Sequence, residues 1–149
     1  MSHLNDFESV ATDQEALIRA LCRMGFTRAQ IEVHETAQRI NGYHVEDDKV
    51  GHIIIRKQHS NIPSDIGWEK NEDGIFVGHV DSYNYSWVSK ARHYNEKFNN
   101  ELFTYYNVEK MKMDMEGKGI EYKESLDAKG RPMLVGKFKV KSTGIQCKL

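Results

Sequence analysis

Asp65-Ile66-Gly67-Trp68-Glu69-Lys70-Asn71-Glu72-Asp73-Gly74-Ile75-Phe76-Val77-Gly78-His79-Val80-Asp81 is the stretch that decides the fold. Two runs rich in aliphatic and aromatic residues flank the polar cluster Asn71 to Gly74, whose residue types favour a turn. Gly67 to Lys70 and Ile75 to Val80 therefore read as antiparallel strands of one hairpin. Upstream, Val50 to Lys57 contains Ile53-Ile54-Ile55 and adds a third strand. Before it, Ile31 and Val33 alternate with Glu32 and His34. Asn41-Gly42, between Ile40 and Tyr43, carries a tight-hairpin signal because both central residues tolerate positive φ. A polar turn is expected at Asp47-Asp48. The middle of the chain is thus an antiparallel meander.

Helical patterns lie on either side of it. Thr12-Asp13-Gln14-Glu15 reads as a capping box with Thr12 as the cap, followed by one apolar face of Leu17, Ala20, Leu21 and Met24 and a stop at Gly25. From Asn95 onward Phe98, Leu102, Tyr105 and Tyr106 recur at helical spacing. Met111 and Met115 extend the stripe, and Asn107 is a candidate break into two helices. Gly117 and Gly119 close the helical region, before a strand at Ile120 to Glu124, a turn at Asp127 to Gly130 and a last strand at Met133 to Val140. This order predicts an α+β fold, a mostly antiparallel sheet with two main helices packed on one face. Trp68, Phe76, Phe98 and Leu102 are expected to share its core.

A length of 149 residues suits a single domain spanning residues 1–149, with 141–149 a basic C-terminal tail. Such a chain buries roughly 70% of its unfolded surface, enough for one core without a metal or disulfide. The longest apolar run, Ile53-Ile54-Ile55, falls far short of the ~20 residues a spanning helix needs. The polar opening Ser2 to Val10 has no signal-peptide core. Cys22 and Cys147 lie at opposite ends of the chain in no metal-ligand spacing and read as reduced thiols. A cytoplasmic protein with no membrane association is expected. The net charge of −1 conceals an asymmetry: residues 1–50 carry five basic and nine acidic side chains, whereas residues 129–149 carry six basic and none acidic.

Three constellations carry candidate chemistry. His79 and Asp81, two apart on a strand, share a face and suit a base with its orienting carboxylate. His52 is the natural second imidazole for acid–base work. A catalytic zinc needs three protein ligands, which this spacing does not supply, so no metal is expected and the plainer reading is a histidine held by a neighbouring carboxylate. Lys137, Lys139 and Lys141 alternate with Gly136, Phe138 and Val140, placing three ammonium groups on one strand face. They suit phosphates, or serve as charges that guard an edge strand. Tyr83, Tyr85 and Trp87 recur at period two ahead of Lys90 and Arg92, a pattern for base stacking or, more commonly, for core or protein contact. No phosphate-cradling glycine loop, nucleophile elbow or Cys-x-x-Cys pair is present, so no cofactor is expected.

Several features occur in a recognisable order: Met1-Ser2-His3, Leu17 to Phe26, Ile66-Gly67-Trp68, Phe76 to Asp81, Phe98 to Tyr106, Gly119-Ile120-Glu121 and the Asp127 to Gly130 hairpin. Together they resemble the cyanobacterial and plastid family called hypothetical chloroplast reading frame thirty-five, a domain of unknown function also found in other bacteria and phages. Gly78-His79 departs from the aliphatic pattern of that family, so any site at His79 would be particular to this chain. Proximity of family members to an AAA-type ATPase implies a protein partner. The expectation is a non-catalytic binding or adaptor domain. Alternatives are a small phosphodiester-type hydrolase using His52, His79 and Asp81, and a weak nucleic-acid binder using the lysine stripe.

Overall fold

A computed structural model describes residues 4–7, 11–41, 46–60, 62, 64–81 and 96–137, with the backbone alone at 4–7, 46–48, 81 and 96–97. The elements are β1 (Leu4–Phe7), α1 (Gln14–Arg23), β2 (Ile31–Asn41), β3 (Glu46–Ile55), the single turn α2 (Lys57–Ser60), β4 (Ile66–Lys70), β5 (Phe76–Asp81), α3 (Glu96–Gly117), β6 (Glu121–Leu126) and β7 (Pro132–Lys137). Five strands form an antiparallel sheet in the order β1-β5-β4-β3-β2, and β6 and β7 form a separate hairpin. This is the expected α+β class, with α1 and α3 on one face of the larger sheet. Ile53, Ile55, Ile66, Trp68, Phe76 and Val80 from the strands meet Leu17, Leu21, Phe98, Leu102 and Tyr106 from the helices in one buried cluster. All four residues expected in the core are in it.

α1 forms because its apolar face meets that sheet, and its two ends are closed by specific bonds. Asp13, not Thr12, is the N-cap: its Oδ1 accepts from the Ala16 amide at 2.9 Å. The Tyr106 hydroxyl accepts from the amides of Thr12 and Asp13, at 3.0 Å each. A tertiary contact thus fixes where the helix begins, one residue later than the sequence pattern suggests. At the other end the amides of Gly25 and Phe26 donate to the carbonyls of Cys22 and Leu21. That pairing needs a left-handed residue, which Gly25 supplies at φ 103°.

Further corrections follow from long-range pairing. Asp47 and Asp48 lie within β3, because the β2 ladder reaches back as far as Asn41 opposite Glu46. The β2–β3 connection therefore spans 42–45, outside the described residues, and is longer than the two-residue turn expected at Asn41-Gly42. β3 ends at Ile55, and Lys57 opens α2. β1, which sequence reasoning missed, pairs antiparallel with β5. α3 runs unbroken for 22 residues, with Asn107 exposed to solvent, where it has no reason to interrupt the helix. The apolar stripe of α3 continues through Met113, while Met111 is exposed.

The second face of the sheet has its own small packing unit. Between Val33 and Gln38, four residues of β2 stand against one of β3, and this irregularity bends the long hairpin. Ile40, fully buried with Ile54, closes over Gly67 of β4. A Cβ at Gly67 would stand 2.8 Å from Ile40 Cγ2, so only glycine fits there without a shift. Two hydrogen bonds anchor the contact: the Asp65 amide donates to the Asn41 carbonyl, and the Asn41 amide donates to the Asp65 side-chain Oδ2.

Candidate functional site

His79 sits on β5 between β1 and β4, opposite Asp6 on one side and Gly67 on the other. Its ring is 3% exposed, and Nε2 lies 3.0 Å from Glu69 Oε1. Glu69 from the neighbouring strand thus supplies a carboxylate to this ring. Asp81 is described in its backbone only, paired with Leu4. His52 lies on β3, and its Nδ1 accepts the Lys70 amide at 3.0 Å, where the β3–β4 ladder has ended at Ile53–Trp68. β4 stands between the two histidine-bearing strands, which puts their backbones about 10 Å apart. Among the described residues no group of three or more His, Cys, Asp or Glu is placed to hold a metal ion.

A second charged cluster went unrecognised in the sequence. Asp65 is fully buried, and its carboxylate accepts from Arg56 Nη1 (2.9 Å), the Lys57 amide (2.9 Å) and the Asn41 amide (3.0 Å). Arg56 also donates to the Arg39 carbonyl and through Nε to Glu32, whose Oε1 meets His34 Nε2 at 2.9 Å. Burial pushes Glu32 up, but the bonds from His34 and Arg56 outweigh it and hold the carboxyl below its ordinary range. Every charge in the chain His34–Glu32–Arg56–Asp65 is thus matched, and its evident task is to fix the bent β2 tip to the β4 entrance. The signal was present in Arg56 and Asp65 flanking a short loop, but nothing local distinguishes that pair from a solvated one.

The remaining candidates belong to the C-terminal half. Tyr83, Tyr85, Trp87, Lys139 and Lys141 lie outside the described residues. Lys137 is exposed at the end of β7, opposite Glu121. The hairpin that carries it is docked by Arg23 of α1, which donates to Glu124 at 2.6 Å, approaches Glu109 at 3.5 Å and stacks 4.7 Å over the Tyr105 ring. Lys112 of α3 completes the network at 3.2 Å from Glu124. The Arg23 bond lowers the Glu124 pKa against the opposing effect of burial. Glu109 occupies a core-facing position of the α3 stripe and is buried, which an apolar-periodicity argument could not anticipate.

The opposite face of this hairpin exposes two neighbouring apolar side chains. Met133 and Val135, two apart on β7, are 41% and 51% exposed on that face, whereas Leu126, opposite Pro132 at the end of β6 and 67% exposed, lies on the face of Glu124. Register places Lys123 beside Val135 and Ser125 beside Met133. At the hairpin's turn, a cleft of about 560 Å³ opens between Gly130, Arg131 and Pro132 on one side and Asn100, Glu101, Thr104 and Tyr105 of α3 on the other. No helix among the described residues is long and apolar enough to cross a membrane. No family model, curated protein or solved structure matches this chain.

Proposed function

We propose that this chain is a non-catalytic binding or adaptor domain that works through a protein partner, with the exposed face of the β6–β7 hairpin as its contact surface. The observation that carries the reading is the pair Met133 and Val135, apolar, adjacent and exposed on a hairpin whose other face is fastened to the helices. Exposed apolar residues grouped on one docked element suit a contact that excludes water. The histidines favour the same reading over a hydrolase: the His79 ring is enclosed against Glu69, and His52 is engaged by the Lys70 amide. General acid–base work needs such a ring within hydrogen-bond reach of a substrate. We place the protein in the cytoplasm, as a bacterial or phage accessory factor. Kinship with the hypothetical chloroplast reading frame thirty-five family rests on the ordered motifs given above.

The test is affinity capture from the native host with the wild type and a Met133→Ser/Val135→Ser variant side by side. A protein recovered with the wild type and lost with the variant, at unchanged circular dichroism, is the expected result. Equal recovery with both would remove the hairpin face from the proposal.

A further inference from the structure

The charges that join the β6–β7 hairpin to the body have a second acceptor on the body itself. Arg23 Nη1 of α1 lies 2.6 Å from Glu124 Oε1 of β6 and 3.5 Å from Glu109 Oε1 of α3. Lys112 Nζ of α3 lies 3.2 Å from Glu124 and 3.5 Å from Glu109. Two cations are thus shared between two carboxylates, one carried by the hairpin and one by the helix on which it rests. Both cations stand closer to the hairpin's carboxylate. The Glu109 side chain is only 10% exposed, so it depends on these cations whether or not the hairpin is present. Arg23 has a further hold on the body, 4.7 Å over the Tyr105 ring. Departure of the hairpin therefore leaves no unpaired charge behind: Arg23 and Lys112 close on Glu109, and Glu124 passes into water.

Among the described residues little else fastens the hairpin. Cross-strand partners share a face, so Tyr122 with Gly136, Glu124 with Leu134 and Leu126 with Pro132 form the side turned to the helices. No residue from 121 to 137 is buried, none belongs to the core cluster, and Leu126 on this inner side is 67% exposed. The Tyr122 hydroxyl donates to Glu116 at 2.6 Å, an exposed bond that water can replace. The turn is closed within the hairpin, where the Asp127 carboxylate accepts from the amides of Lys129 and Arg131 and from Arg131 Nε. We infer that the hairpin is a salt-responsive clasp: Arg23 and Lys112 exchange Glu124 for Glu109, and the hairpin leaves α3 as a unit while the five-stranded sheet and its two helices stay folded. Ionic strength sets the balance because Glu124, 31% exposed, is screened more than the enclosed Glu109. Opening takes Met133 and Val135 off their backing, and it is a property of the chain alone, tested without a partner.

The experiment is amide hydrogen exchange of the full chain at neutral pH, followed by mass spectrometry at low salt and at about 1 M NaCl, where screening acts over about 3 Å. Wild type, Glu124→Gln and Glu109→Gln are compared. In the wild type, residues 121–137 are expected to exchange about fivefold faster at high salt, with Ile53 to Ile55 and Ile66 to Trp68 unchanged. Glu124→Gln should show the fast hairpin already at low salt, with little further response. Glu109→Gln should slow the hairpin, because Arg23 and Lys112 then have Glu124 alone. A static network would instead lose protection in both variants. Salt-independent exchange of the wild-type hairpin, equal acceleration of the central strands, or a faster hairpin in Glu109→Gln would each overturn the inference. If Glu109→Gln loosens the core as well, the wild-type salt comparison decides alone.

Discussion

At the scale of single residues, the strongest constraints are places where one group answers several. Asp13 caps α1, so Asp13→Ala is expected to cost about 1 kcal/mol in a denaturant titration, and Thr12→Ala much less. Thr12 contributes its backbone amide to the Tyr106 hydroxyl, and alanine keeps that amide. A reversed order of the two variants would mean that the cap had been assigned to the wrong residue. Gly67→Ala places a methyl 2.8 Å from Ile40 Cγ2, and overpacking of that kind costs about 1–3 kcal/mol. In an Ile40→Ala background the same substitution should cost far less, because the obstructing methyl is gone. Additive losses in this double-mutant cycle would show that the two residues do not meet.

At the scale of elements, the β6–β7 hairpin is held to the body largely by charge. Its Glu124 accepts from Arg23 and pairs with Lys112, and its folded-state pKa is lowered mainly by the Arg23 bond. A carboxyl with a depressed folded pKa contributes stability that is present above its unfolded pKa and is lost as the pH falls through the folded value. Glu124→Gln should therefore lower the unfolding midpoint at pH 7, with wild type and variant converging as the pH drops below the ordinary carboxylate range. A difference that persists unchanged at low pH would assign the effect to packing. This docking was not legible in the sequence. The heptad-like stripe on α3 pointed to Phe98, Leu102 and Tyr106, but Glu109 sits in line with them and is buried only because Arg23 from α1 and Lys112 reach it. A contact between residues 86 positions apart leaves no local trace.

At the scale of the whole molecule, the five-stranded sheet with its two helices has a continuous apolar core, while the hairpin rests on α3 with Met133 and Val135 exposed. Two-stranded hairpins have little stability of their own. Amide hydrogen exchange should accordingly be slowest at Ile53 to Ile55 and Ile66 to Trp68 and markedly faster through β6 and β7. Uniform protection across both sheets would show that they open as one unit. Local sequence was enough to read the α+β class, the hairpin through Asn71 to Gly74, the glycine stop of α1 at Gly25 and the core four Trp68, Phe76, Phe98 and Leu102. Each rests on local propensity or on periodicity, which a short window contains. Long-range pairing was needed to establish that β1 joins β5, that Asp47 and Asp48 lie in a strand, that Ile40 folds over Gly67, that Asp65 is buried beneath Arg56, and that Glu69 reaches the His79 ring. These depend on which strands become neighbours, a choice made by the summed burial and hydrogen bonding of the whole chain and not by any one segment of it.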